Sequence, residues 1–329
     1  IIEAGEADAG VLAPLIDEKE SLKVRKTGVA LSADSNPRQG LIDPYAAAAN
    51  AVIESMRNVA AVGAYPQAIT DCLNYGNPEI ETQMWELAEG IRGVTDACRN
   101  IKLKNHPKYP TPVISGNVSL YNQSPRGHVP PSAIICCIGK IDDYEKAVTM
   151  QIKGAGNKLF LMGPRKDELG GSEYYRINKA LGVKVPQPDF KQSQREIYAL
   201  TDAIEIGLVE SAHDISDGGI AVTVAEMTFG GRGEGRTGTD IDLILVPEKG
   251  LGEDKKLFSE TGGFVVEIAP DKEKEFKNIC KKNGLEIFEI GLTTKKANIV
   301  FRSGDRVLID VKVEKAANYW LNGLRKKLS

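Results

Sequence analysis

Apolar and polar residues along 24–33 (VRKTGVALSA) predict a strand, closed by the polar break Asp34-Ser35-Asn36-Pro37-Arg38. Asp43-Pro44 then opens a helix, since Asp can cap free N–H groups and Pro fits the first helical position. Ala48, Val52, Met56, Val59 and Val62 recur close to helical period, and Gly63 is a stop. Residues 67–73 predict a short strand ending in the loop 74–77. A second helix is expected with Asn77 as cap, Pro78 first, and Glu79 and Glu81 in the positive first turn. Its buried stripe would be Ile80, Met84, Leu87, Ile91, Val94, Cys98 and Ile101. Residues 104–110 read as a polar loop. Residues 111–114 and 132–138 read as strands, joined by a long connection over 116–127.

From 142 to 157 charges, Gly154 and Gly156 replace the apolar run, which places a domain boundary there and divides the chain into 1–150 and 151–329. A strand at 158–163 starts the second part, followed by helices near 172–181 and 193–206, the segment 208–217, and a helix from about Gly218. Strands near 241–245, 263–268, 287–292 and 298–302 complete it, with a helix at about 271–283. Helices and strands mix without strict βαβ alternation, so two α+β domains fit better than one doubly wound sheet.

The length of 329 residues agrees with about two domains, each able to bury a core. The net charge is 42 − 45 = −3, which argues against nucleic acid or an anionic membrane face as the partner. The longest apolar run, 133–138, is far below the roughly 18 residues of a membrane span, and no basic-then-apolar leader opens the chain. Five cysteines without CxxC spacing speak against a disulfide framework or a zinc site and point to the reducing cytoplasm. The chain begins Ile1-Ile2 without Met, so a processed chain or a piece of a longer one is expected.

Four segments could carry chemistry. In TPVISGNVSLYN (111–122), Asn117 offers a hard oxygen for Mg²⁺, Ser119 a hydroxyl, and Gly116 close backbone approach to an anion; a plain Gly-Asn turn explains the stretch equally well. Asp71, at a strand end, could hold a metal or a nucleotide, or cap a turn. His213-Asp214-Ile215-Ser216-Asp217-Gly218-Gly219 places two carboxylates three apart before a helix, which suits Mg²⁺–phosphate binding; alternatively Asp217 caps that helix and His213 is structural. Gly170-Gly171-Ser172-Glu173 reads most simply as a glycine turn into a capped helix. No P-loop, G-x-S-x-G elbow or multi-histidine centre is present.

Taken together, VALSADSNPR, ITDCLNYGNPE, PVISGNVSLYNQ, GGSEYY and SAHDISDGGIAVTVAEM resemble, in order and over nearly the whole chain, the C-terminal half of the phosphoribosylformylglycinamidine synthase family in its small, multi-subunit form. The wider superfamily includes aminoimidazole ribonucleotide synthetase and is built from two α+β domains. The resemblance implies an ATP-dependent amidation, in which formylglycinamide ribonucleotide is phosphorylated on its amide oxygen and glutamine-derived ammonia displaces the phosphate. It further implies ATP and Mg²⁺, with Asp71 and Gly116 as nucleotide contacts, Asn117 as a metal ligand and Ser119 as a substrate contact. Asp214 and Asp217 are similar to metal carboxylates of an auxiliary nucleotide site. The partners implied are the N-terminal half of the synthetase, a glutaminase subunit and a small accessory subunit.

Two departures from the family stand out. Lys104–Tyr109 is an insertion, and Gly263 stands where relatives often have Arg. The family's catalytic histidine lies in the N-terminal half and has no match here, so no catalytic residue is assigned. Two other readings stay open: a non-catalytic nucleotide-binding scaffold, and a free-standing enzyme like aminoimidazole ribonucleotide synthetase.

Overall fold

The computed structural model describes all residues except Ala4, Lys249 and Ser329, and leaves aside the side chains of Arg325 and Lys326. The main elements of the first half are β1 (Gly10–Leu12), β2 (Gly28–Asp34), α1 (Pro44–Ala61), β3 (Tyr65–Asn74), α2 (Glu81–Asn100), β4 (Val113–Ser119) and β5 (Ser132–Ile141). The second half contributes β6 (Lys158–Met162), α3 (Phe190–Glu205), β7 (Ser211–Asp214), α4 (Gly219–Phe229), β8 (Gly238–Asp242) and β9 (Phe264–Ile268). It ends with α5 (Glu273–Lys282), β10 (Ile287–Thr294), β11 (Asn298–Ser303), β12 (Arg306–Lys312) and α6 (Val313–Leu328).

The first sheet runs β1-β2-β5-β3-β4, antiparallel except for the parallel pair β3–β4. Strand alternation sends Ala133, Ile135 and Cys137 inward against the helices, while Ile134 points out and stays exposed. Helix α1 opens as its sequence requires, with Asp43 accepting from the Ala46 N–H at 2.9 Å and Pro44 in the first turn. It is buried almost all round because it lies between this sheet, α2 and the second half.

The second sheet has the order β7-β9-β6-β10-β8-β11-β12, with only β8–β11 parallel. Central β9 is buried along its whole length, and its Glu267 is fully satisfied there. The Glu267 carboxylate accepts from the Lys153 and Gly154 N–H groups, Asn157 Nδ2 and Ser211 Oγ, which pins the segment between the sheets. One core runs through both halves: Val52, Met56 and Val59 of α1 belong to the same cluster as Ile197, Leu200, Phe264 and Phe276. A second core lies on the other face of the second sheet, with Ile220, Val224 and Met227 of α4.

Several expectations shift. Helix α2 starts at Glu81, not at Pro78: Asn77 accepts from the Glu79 N–H in a local turn, and no side chain caps the helix. Its buried face is also rotated. Leu87, Val94 and Cys98 are buried, but Ile80, Met84 and Ile91 are exposed, because the close contacts are made through Gly93, against Tyr45 of α1, and Gly90, against the Tyr75 hydroxyl. A Cβ on Gly93 would stand 2.3 Å from the Tyr45 carbonyl oxygen. The polar loop at 104–110 is a hairpin (Lys102–Leu103 with His106–Pro110), and the strand expected to end at 114 continues through Ser119. Gly263, with φ +134°, sits where a side chain would be strained, since a Cβ there would lie 2.3 Å from the Met162 carbonyl oxygen.

Candidate functional site

The densest constellation forms where four chain segments meet. Asp34 and Ser35 end β2, and Glu54 and Asn58 stand one turn apart on α1. Asp214 ends β7, and Asp8 comes from the segment before β1. These side chains, with His213, Ser216 and Asp217, line an open cavity of about 320 Å³. The structure thus brings Asp214 and Asp217 to one site, as the sequence predicts, with Asp217 exposed at the rim and Asp214 buried.

The pocket concentrates negative charge that the protein satisfies incompletely. Burial and the neighbouring Asp214 push the Asp34 carboxyl up to about 7. Burial and Asp34 hold Glu54 well above the carboxylate range, and burial, Asp8 and Glu54 do the same for Asp214. Asn58 donates to Asp34 Oδ2 at 3.2 Å, but Asn58 Oδ1, Asp214 Oδ2 and Ser35 Oγ are buried without partners. Orphaned hard oxygen acceptors among crowded carboxylates fit Mg²⁺.

His213 serves differently. Its Nδ1 donates to Asp8 Oδ1 at 2.5 Å and its Nε2 to Glu226 Oε2 at 2.9 Å. Burial opposes its charge, yet Asp8 and Glu226 hold the ring well above the usual histidine range. An imidazolium with both nitrogens donating has no lone pair for a metal, so His213 is a buried counter-charge although it lies within ligand reach of Asp8 and Asp214. Asp8 also accepts from the Asp214 N–H at 3.0 Å, which fixes the strand end that carries Asp214.

The helix start after this motif departs from both sequence readings. Asp217 does not cap α4, whose N-cap is Gly218, with no side-chain cap. The seat expected for a phosphate is filled by the chain's own Glu260, whose Oε1 accepts from the Gly218 N–H at 2.9 Å and the Glu173 N–H at 2.8 Å. Ser172 caps the short helix Glu173–Ile177 as expected, accepting from the Tyr175 N–H.

The other four predicted residues lie on the β3–β4 pair, and none lines the acidic cavity. Nor do they share a face. Asp71 sits opposite Gly116 on the helix side, so close that a Cβ on Gly116 would meet Asp71 Oδ1 at 2.1 Å. Asn117 lies opposite Cys72, and Ser119 opposite Asn74, on the open face. Asn117 is exposed, and the Ser119 hydroxyl donates to Asn122 Oδ1 at 3.1 Å. Sequence reasoning missed Asp8, Asp34, Glu54 and Asn58. The i, i+4 pair Glu54/Asn58 on a mainly apolar helix was the available signal.

A separate cavity of about 320 Å³ under Leu22, Tyr65 and Ile204 is mainly apolar and lies apart from these carboxylates.

Comparison with known proteins bears on family and fold. Residues 6–141 match the family model described as AIR synthase related protein, N-terminal domain, and residues 154–303 the corresponding C-terminal domain. The phosphoribosylformylglycinamidine synthase subunit PurL of Methanothrix thermoacetophila is 45% identical over the whole chain, which covers 41% of that protein. The PurL subunit of Thermoplasma acidophilum is 35% identical over 97% of the chain and 39% of its own length. The chain therefore spans about two-fifths of these relatives. Among solved structures, T. maritima PurL complexed with FGAR superposes with a TM-score of 0.76 at 22% identity, over 95% of this chain and 48% of that one. T. maritima PurL complexed with ADP gives 0.73 at 22% identity, over 95% and 46%. With both family models matched in order and PurL subunits as its relatives, the chain belongs to the AIR synthase related family and is of the PurL type.

Proposed function

We propose that this chain is the C-terminal part of a formylglycinamide ribonucleotide synthetase, with a nucleotide–Mg²⁺ site at the acidic pocket and a second surface that completes the catalytic site with an N-terminal half. The observation that carries the first part is the buried, unpartnered Asp214 Oδ2 beside Asn58 Oδ1, among carboxylates that repel one another. Asp34, Glu54, Asn58 and Asp214 would hold the ion, with Asp217 at the rim. Bound there, Mg²⁺ would offset the charge of the nucleotide phosphates. His213 and Asp8 keep the Asp214 strand end in place. Because Glu260 fills the helix start, the phosphates meet the side-chain cluster instead of the Gly218 N–H.

The open face of the first sheet supports the second part. Leu31 and Ile134 are each 42% exposed on this face, beside Asn117 and Ser119. An apolar sheet face left uncovered is where the N-terminal half would seat, which would bring Asn117 to Mg²⁺ and Ser119 to substrate. Asp71 and Gly116 would contact ATP from the edge of the same strand pair. In the assembled enzyme ATP phosphorylates the formyl-amide oxygen, and ammonia released from glutamine by a glutaminase subunit displaces the phosphate. A small accessory subunit completes the complex, in the cytoplasm. Among the described residues no helix is long and apolar enough to cross a membrane.

Thermal shift with Mg²⁺–ADP tests the pocket. A ligand bound only by the native state at a hundredfold excess over Kd adds about 2.7 kcal/mol. The double change Asp214→Asn, Asp217→Asn should remove the shift. Asn117→Ala should keep it while raising the Mg²⁺ requirement of enzyme reconstituted with an N-terminal half. The chain alone should give no amidine from ATP, Mg²⁺, substrate and ammonia. No shift with ADP would sink the nucleotide site, and turnover by the chain alone would favour a free-standing enzyme.

A further inference from the structure

Arg57 is the oddest charged group in the molecule. It is 5% exposed, yet its Nε has no hydrogen-bond partner, and among the described residues its acidic contacts are long: 3.6 Å to Glu54 and 4.0 Å to Asp214. A guanidinium carries five donors, and burying it without hydrogen bonds costs free energy that the fold would ordinarily recover. One side of Arg57 faces the acidic pocket. The other borders a cleft at the seam of the two halves, lined also by Asn50, Lys166, Gln192, Thr261 and Gly262. The cleft holds about 50 Å³, and one water needs about 10–15 Å³ of such space, so the room is that of three or four waters, or one tetrahedral oxyanion. It opens outward, past Lys166 and Gln187, into a shallow groove.

Two cations and two carboxylates line the cleft, and the carboxylates are the hydrogen-bonded pair. Arg57 and Lys166 are cationic. Among the described residues Lys166 makes no ion pair, whereas the Asp189 carboxylate is engaged as cap of α3, accepting from the Gln192 N–H at 3.0 Å. Glu196, fully enclosed, accepts from Gln192 Nε2 at 2.9 Å. Gly262 is glycine for the same reason: a Cβ there would stand 2.2 Å from Arg57 Nη1 and fill the approach to the guanidinium.

We propose that this seam cleft is a binding site for a small tetrahedral oxyanion, free phosphate or the terminal phosphate of a small phosphomonoester, with the Arg57 guanidinium as its principal ligand and Lys166 at its mouth. A consequence follows for the acidic pocket. Without metal, Arg57 is the counter-charge for Glu54, at 3.6 Å, and shares Asp214 with His213. A divalent cation on those carboxylates replaces that role and repels the guanidinium, which then turns to the oxyanion. Binding of the two should be cooperative, and by linkage each should tighten the other equally. The oxyanion site stands without the proposed metal site; only this coupling rests on it.

Calorimetric titration of the full chain with inorganic phosphate, and separately with ribose 5-phosphate, in EDTA and then in MgCl₂, tests both. The expected result is saturable phosphate binding in EDTA, weakened at least tenfold by Arg57→Gln and by Gly262→Ala, and tightened several-fold by Mg²⁺. Lys166→Ala, a mouth residue, keeps the fold intact and should weaken binding several-fold, so a folding failure of Arg57→Gln leaves the site testable. Tighter binding of ribose 5-phosphate than of phosphate would identify a phosphomonoester as the occupant; the reverse would identify the free ion. No saturation in EDTA, or binding unchanged in Lys166→Ala and Gly262→Ala and matched by chloride (an adventitious ion only), would overturn the site. Phosphate binding that Mg²⁺ leaves unchanged would overturn the coupling alone.

Discussion

Neutralising Asp34 should stabilise the metal-free protein at high pH and abolish most of its response to Mg²⁺. Burial and Asp214 raise this carboxyl from an ordinary 3.8 to about 7. Every tenfold gain in proton affinity corresponds to about 1.4 kcal/mol, so holding this carboxylate ionised in the fold costs roughly 4 kcal/mol. The sign is fixed by proton binding. Between about pH 4 and pH 7 the native state holds this proton and the unfolded chain has lost it, so stability falls as pH rises through that window and levels off above it. Asp34→Asn removes this loss while its side-chain oxygen can still accept from Asn58. At pH 5 the variant should already lead by roughly 1.5 kcal/mol, because the unfolded carboxyl is mostly ionised there; at pH 8 in EDTA it should be more stable by up to about 4 kcal/mol. At about 2 °C per kcal/mol for a chain of this size, that is up to roughly 8 °C in Tm. A divalent cation substitutes for the protons, so the stabilisation of the parent by MgCl₂ should grow from pH 5.5 to pH 8 and release protons on binding. The assay is thermal or urea unfolding of both proteins from pH 5 to 8, in EDTA and in MgCl₂. Identical pH profiles for parent and variant would refute the reasoning, as would an Mg²⁺ effect independent of both pH and the substitution.

Two further predictions concern the frame around the site. Gly93→Ala would push a Cβ to 2.3 Å from the Tyr45 carbonyl oxygen and 3.1 Å from the Ala49 nitrogen. Overpacking of about 1–3 kcal/mol should outweigh the roughly 1 kcal/mol that alanine contributes in a helix. Gly323→Ala on α6, with nothing within 4 Å of the new Cβ, should instead gain about 0.5–1 kcal/mol; urea midpoints of the two variants should move in opposite directions. Asp8→Ala leaves the buried His213 with one carboxylate and frees the Asp214 N–H, and should cost about 3–5 kcal/mol with faster hydrogen exchange in residues 1–12, while equal exchange in parent and variant would show that Asp8 does not hold that segment.

What the sequence by itself determined is what depends on neighbours in the chain. Asp43-Pro44 fixes the start of α1 through one local hydrogen bond and one preset dihedral, and Ser172 caps its short helix through one local hydrogen bond. Apolar runs marked strands at 132–138 and 158–163, which the fold forms as Ser132–Ile141 and Lys158–Met162, and the motif at 213–217 announced two of the acidic residues. Packing partners were not legible. The face of α2 that is buried is set by two glycines, Gly93 against Tyr45 of α1 and Gly90 against the Tyr75 hydroxyl, whereas apolar residues alone pointed to Ile80, Met84 and Ile91. The family resemblance assigned Asp71 and Asn117 to one ATP and Mg²⁺ site, but the pleat of β3–β4 sends them to opposite faces, a matter of register. Asp34, Glu54 and Asn58 look ordinary in the chain, and become a candidate metal site only when folding carries α1 against β7. Tertiary structure alone decides that, because burial and mutual repulsion of carboxylates arise between segments far apart in sequence.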